Sequence, residues 1–239
     1  MKNAIRLFLR LTIFLAMCGC NLPIGPGAPT PLPATPSRVP PSPAFSSRRF
    51  FIETFDSEPR DWNITQINGD ANLFRAFVEN GHWNFLLEGE YIYAYAVYEP
   101  ATYREARLDV RVANRGANRN LTSLICHFDA DKGWYEFAIS TEGTYHILFA
   151  QWDAKADEVT YSPLADGISA AILPGLAENN YSVICSGTFL TLIVNDARLI
   201  AFNEDEHGLN NGKIGVGVSS FDVLPVRLEF DSIAVGPGE

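Results

Sequence analysis

Between residues 74 and 235 the sequence alternates with a period of two almost without interruption, and that pattern constrains the fold more than any other feature. In YIYAYAVY, Tyr91, Tyr93 and Tyr95 fall on one side, with Ile92, Ala94 and Ala96 on the other. RLDVRV sends Leu108, Val110 and Val112 one way and Arg107, Asp109 and Arg111 the other. Successive side chains of a strand point to opposite faces, whereas an amphipathic helix repeats every 3.6 residues. The same alternation runs through LTSLICHF, WYEFAIS, TYHILFAQW, YSVICSG, FLTLIVN, ARLIAF, KIGVGVSS and PVRLEFDSIAV. In FRAFVENGHWNFLLE, Asn80-Gly81 supplies a type I′ hairpin turn between two strand-like runs. The stretch ADGISAAILPGLAEN, interrupted by Pro174 and Gly175, reads as a loop. Ten or more short strands in one domain imply an antiparallel sandwich or barrel. The lack of a fixed repeat argues against a propeller.

The first 47 residues follow other rules. Lys2, Arg6 and Arg10 precede a short apolar run from Leu11 to Met17, which ends at Cys18-Gly19-Cys20. A basic start, a short apolar centre and small residues at its end make an export signal, and the run falls well short of the ~20 residues that a membrane-spanning helix requires. A cysteine directly after such a run resembles the bacterial lipoprotein signal, which is cleaved before a lipid-modified cysteine. Gly19 gives Cys20 the small preceding residue that this signal wants, and Met17 does not give it to Cys18. The expectation is a signal over 1–19, a lipidated Cys20 and an anchor on the outer face of a bacterial membrane. Residues 20–47 then form a tether, since 21–47 hold nine of the fifteen prolines and no acidic residue. An extended proline-rich chain rises about 3.1 Å per residue, so this one reaches about 80 Å.

Charge is divided sharply at the same boundary. The first 52 residues carry six Lys or Arg and no acid, leaving 12 basic against 28 acidic residues beyond them, a net charge of −16. That balance excludes nucleic acid and other polyanions as partners. Residues 48–239 are long enough for one domain with a sizeable core.

The order GWYEFAISTEGTYHI, GTFLTLIVNDARLIAF, NNGKIGVGVSS and RLEFDSIAV resembles the concanavalin A-like lectin and glucanase jelly rolls. These include laminin-G-like modules and the domain called 3-keto-disaccharide hydrolase. In those families a Y-x-F-x-I strand runs into a glycine turn, an Asn-Gly hairpin and a G-x-I-G strand follow, and a strand with Phe-Asp closes the domain. Here Asn195-Asp196 stands for Asn-Gly and is able to make the same turn. Phe55-Asp56 is similar to the opening strand, and the match covers most of residues 50–235. The resemblance implies an all-β antiparallel sandwich of jelly-roll type and an exported, carbohydrate-related and mostly non-catalytic domain.

Cys126, His127 and Asp129 stand close enough in sequence to suggest a nucleophile, a base and its orienter. Strand alternation rejects this, because neighbours on a strand project to opposite faces. Cys126 aligns with Leu124 and Phe128, and Cys185 aligns with Tyr181 and Val183, so both cysteines belong to apolar faces. Two such cysteines in an exported domain predict a Cys126–Cys185 disulfide.

Other chemical signatures are missing. The sequence has no G-x-S-x-G, H-E-x-x-H or G-x-x-x-x-G-K-[ST] motif, and Gly215 and Gly217 lie inside a strand. DADKG at 129–133 lacks the full ligand spacing of a calcium loop and reads as a polar turn. His82, His127, His146 and His207 show no metal-ligand spacing, so neither metal nor cofactor is expected. The glucanases of the resembled fold carry a Glu-x-Asp-x-(x)-Glu strand that aims carboxylates into one cleft. No such strand occurs here; Glu204-Asp205-Glu206 read as a solvated turn, and Glu229 and Asp231 as an outer strand face.

What remains is a candidate binding face. With Tyr135, Phe137 and Ile139 in the core, Trp134 and Glu136 point the other way, and a hairpin would place His127 beside them on an exposed surface. An aromatic plate with fixed polar groups suits a sugar, and Tyr91, Tyr93, Tyr95, Arg107, Asp109 and Arg111 are expected to extend it. The functional expectation is a surface lipoprotein that binds a glycan without cleaving it. A glycoside hydrolase of the 3-keto-disaccharide type and a structural or protein-interaction module are the alternatives.

Overall fold

A computed structural model describes residues 49–153, 155–156 and 158–238. The export signal, Cys18, Cys20 and the proline-rich tether lie outside the described residues. In chain order the strands begin with β1 (Phe51–Glu53), β2 (Trp62–Asn68), β3 (Phe74–Glu79), β4 (His82–Leu87) and β5 (Tyr93–Tyr98). β6 (Glu105–Asn114), β7 (Asn120–Asp129), β8 (Gly133–Ser140), β9 (Thr144–Asp153) and β10 (Glu158–Ile168) follow. β11 (Glu178–Ser186), β12 (Phe189–Val194), β13 (Ala197–Asn203), β14 (Lys213–Ser220) and β15 (Val226–Gly236) complete the set.

Two antiparallel sheets form, as the alternation predicts. One has the order β13-β12-β11-β6-β15-β4-β3, with β1 also paired to β15; the other is seven-stranded, β10-β9-β8-β7-β14-β5-β2. Leu124, Tyr135, Phe137, Ile139, Val216 and Val218 of the seven-stranded sheet meet Leu108, Val110, Val112, Val183, Phe230 and Ile233 of the other in one buried cluster. Burying each such aliphatic or aromatic side chain contributes about 1.5–3 kcal/mol. Cys126 of β7 and Cys185 of β11 are disulfide-bonded, with Cα atoms 6.5 Å apart, so the bond ties the two sheets together through the core.

The turns follow their residue chemistry. Asn80-Gly81 and Asn195-Asp196 both adopt positive φ, as a two-residue type I′ hairpin demands. DADKG closes the β7–β8 hairpin: Asp129 accepts from the backbone N–H groups of Asp131 and Lys132 and pairs with the Lys132 ammonium. Gly133 at its end has φ +112, and an added Cβ would lie 2.3 Å from the Ala150 carbonyl oxygen.

Two local expectations change. Part of the stretch read as a loop, through Ile168, belongs to β10. Its alternation is blurred because β10 is an edge strand, half exposed, whose register shifts between Pro163 and Ala165. An edge tolerates proline because one side of the strand needs no amide donor. Glu204 is buried instead of solvated. It accepts from the Tyr135 hydroxyl, from His207 Nδ1 at 3.0 Å, and from the backbone N–H groups of Glu206 and His207. Burial pushes its carboxyl up, but these donors outweigh burial and hold it below the ordinary carboxylate range.

Candidate functional site

The open face of the seven-stranded sheet, opposite the core, gathers Trp134 and Glu136 from β8 with Tyr93 and Tyr95 from β5 and Tyr161 from β10. Alternation places the first four on this face as expected. They are not equally exposed: Trp134 retains 4% of its surface and Glu136 3%, whereas Tyr93 is half-buried. The expected exposed plate of Trp134 and Glu136 is therefore corrected. Trp134 is covered by Tyr95, edge-on at 5.6 Å between ring centroids, and by Phe128 at 5.3 Å.

A glycine explains how Tyr95 gets there. Three neighbouring strand spacings separate β5 from β8, about 14 Å on a flat sheet, so contact across β14 and β7 requires a concave face. Gly217 of β14 stands opposite Tyr95 and leaves its ring room to lie across the sheet; a Cβ there would meet the ring at 2.7 Å. The Tyr95 hydroxyl then reaches Glu136 Oε2 at 2.8 Å. Trp134 Nε1 donates to the same oxygen at 3.3 Å, and Ser123 Oγ donates to Oε1 at 2.6 Å. Burial pushes the Glu136 carboxyl up, and the donors Ser123, Tyr95 and Trp134 oppose that shift. Tyr161 lies 2.8 Å from Tyr95, oxygen to oxygen, and extends the chain outward.

Beside this network lies a recess of about 140 Å³, whose lining includes Tyr93, Leu121, Leu148, Ser219, Phe221 and Glu136. Tyr91, exposed in the loop before β5, stands edge-on against Phe221 at 6.5 Å. Glu136 is the one carboxylate among the described residues lining the recess. A two-carboxylate glycoside hydrolysis needs a second acid about 5–10 Å from the first. On β8 the other positions of this face hold Trp134, Ala138 and Ser140.

His127 leaves this face. The β7–β8 register shifts between Cys126 and Asp129, and His127 adopts φ 53°, so a bulge turns its ring away from Glu136. It is 1% exposed, packs edge-on against Tyr135 at 6.0 Å and lies 3.3 Å from the Arg104 carbonyl through Nε2. Burial lowers its pKa and favours the neutral ring. Arg107, Asp109 and Arg111 do not extend the Glu136 face either, because β6 belongs to the other sheet. There, Arg107 and Ser182 both bond Asp109 and Arg111 pairs with Glu178, around a groove of about 250 Å³.

Tyr161, Phe221, Ser123 and Gly217 were not foreseen as parts of the site. One signal was available: Gly215 and Gly217 share a strand face, and glycines inside a strand mark places where another group approaches closely.

No protein-family model matches the sequence, and no curated protein does. Solved structures do match. A glycoside hydrolase family 16 protein of Bacteroides ovatus, in complex with a mixed-linkage glucan product, aligns at 12% identity over 78% of this chain and 99% of its own, with a TM-score of 0.56. The fold is the concanavalin A-like jelly roll. The carbohydrate-binding module CBM66 of Bacillus subtilis shares this jelly roll at 13% identity, over 72% of this chain and 92% of its own, with a TM-score of 0.50. A Bacillus subtilis protein of galectin-like fold matches at 11% identity, over 78% and 94%, with a TM-score of 0.57.

Proposed function

We propose that this chain is a cell-surface lipoprotein whose jelly roll binds a neutral glycan on the concave face of the seven-stranded sheet and leaves it uncleaved. The observation that carries the reading is the recess itself. The aromatic residues Tyr93 and Phe221 line it together with the hydroxyl-bearing Tyr161 and Ser219. That combination offers surface for the apolar face of a pyranose and hydrogen-bond partners for its rim. Glucanases and a carbohydrate-binding module share the fold, which agrees with the reading. A single carboxylate at the recess, already engaged by three donors, favours binding over hydrolysis. The net charge of −16 beyond residue 52 disfavours an acidic polysaccharide. The test is titration with neutral oligosaccharides of wild type and of Tyr93→Ala, whose removed ring is expected to weaken binding.

The anchor rests on the basic start, the short apolar run and Gly19-Cys20. Cells fed a fatty-acid analogue should label the wild type and Cys18→Ala but not Cys20→Ala. Label that persists in Cys20→Ala places the lipid elsewhere or removes it from the account.

A further inference from the structure

We infer that the recess recognises a free ligand hydroxyl acting as a hydrogen-bond donor to Tyr161, because the chain Tyr161–Tyr95–Glu136 donates inward to the accepting Glu136 carboxylate. The inference rests on the glycan reading above and specifies its selectivity.

Each phenol has a single proton and can donate once. The proton of Tyr95 goes to Glu136 Oε2 at 2.8 Å. The 2.8 Å contact between Tyr95 and Tyr161 must then use the proton of Tyr161, donated inward to the Tyr95 oxygen. With that proton committed, the Tyr161 oxygen is left as an acceptor. Tyr161 is partly exposed and borders the recess, so a ligand hydroxyl meeting it there must donate.

The direction is set by ionised Glu136, whose carboxylate oxygens only accept. The indole N–H of Trp134 is a donor only, and it addresses Oε2 at 3.3 Å. A proton on Oε1 would face Ser123 at 2.6 Å, where the serine hydroxyl can turn to accept it, and would leave the direction unchanged. A proton on Oε2 would instead point at Tyr95 and reverse the chain, so the inward direction belongs to the ionised or Oε1-protonated carboxyl. The titratable groups facing Glu136 from other strands of the sheet are Tyr95 and Tyr161, both with pKa values raised by burial, so both keep their protons at neutral pH.

A ligand group that accepts but cannot donate leaves the Tyr161 oxygen facing another acceptor, and the mismatch forfeits a hydrogen bond at a partly desolvated site. Monodeoxyfluoro sugars make this substitution at nearly constant size. The full chain would be titrated with a panel of neutral oligosaccharides, laminaritetraose among them, each accompanied by its monodeoxyfluoro analogues. For a bound member, one analogue is expected to bind about tenfold more weakly than its parent. That loss should shrink to within about twofold in Tyr161→Phe. Tyr95→Phe keeps the Tyr161 hydroxyl but releases its proton, so binding should persist while discrimination falls. An analogue series whose losses are unchanged in both variants overturns the directed chain and leaves the glycan reading standing. A wild type that binds no member of the panel contradicts the glycan reading, and the inference falls with it.

Discussion

Trp134→Ala is expected to cost about 3–5 kcal/mol, as much as Phe137→Ala, although the two side chains point to opposite faces of β8. Phe137 lies in the core between the sheets, where its loss leaves a cavity within the buried cluster. Trp134 lies on the concave side but is 4% exposed, enclosed by Tyr95, Phe128, Ile125 and Ala150. Its removal opens a comparable void and withdraws the N–H bonded to Glu136. Thermal and urea unfolding of both variants measures the effect. A Trp134→Ala variant that melts like wild type contradicts the packed concave face.

Replacing both Cys126 and Cys185 by alanine is expected to lower stability by about 4 kcal/mol through the freedom returned to the unfolded chain. The cysteines are 59 residues apart, so the bond closes a long loop. For a domain of this size the melting temperature should fall by about 8–16 °C. Both side chains are 1% exposed, and lost packing adds to the cost. Unreduced peptide mapping should recover the two cysteines linked, and a double variant with an unchanged melting temperature removes the crosslink from the account of stability.

The sheets were legible in the sequence because burial on one face imposes period two on strands such as RLDVRV and WYEFAIS. Cys126 and Cys185 could be paired for the same reason, each standing on an apolar face. Which sheet a strand joins is set by partners distant in sequence, so Arg107 and Asp109 were assigned to the wrong surface although their direction was right. His127 failed through a bulge: one extra residue reverses every side chain beyond it, and the alternation of LTSLICHF carries no sign of that. Exposure on the concave side failed for another reason. Outward and polar usually coincide on a flat sheet, but here curvature lets Tyr95 cross Gly217 and cover Glu136, burying a carboxylate that the pattern places outside. Tyr161 escaped notice because edge strand β10 is half exposed and weakly patterned.

Backbone amide shifts recorded while the labelled domain is titrated with the tightest-binding neutral oligosaccharide test the central claim most directly. The account predicts perturbations centred on Tyr93, Leu121, Leu148, Tyr161 and Phe221, and quiet amides around Arg107, Asp109 and Ser182 on the opposite sheet. Perturbations confined to that opposite sheet, or a spectrum unchanged by every glycan tried, would contradict it.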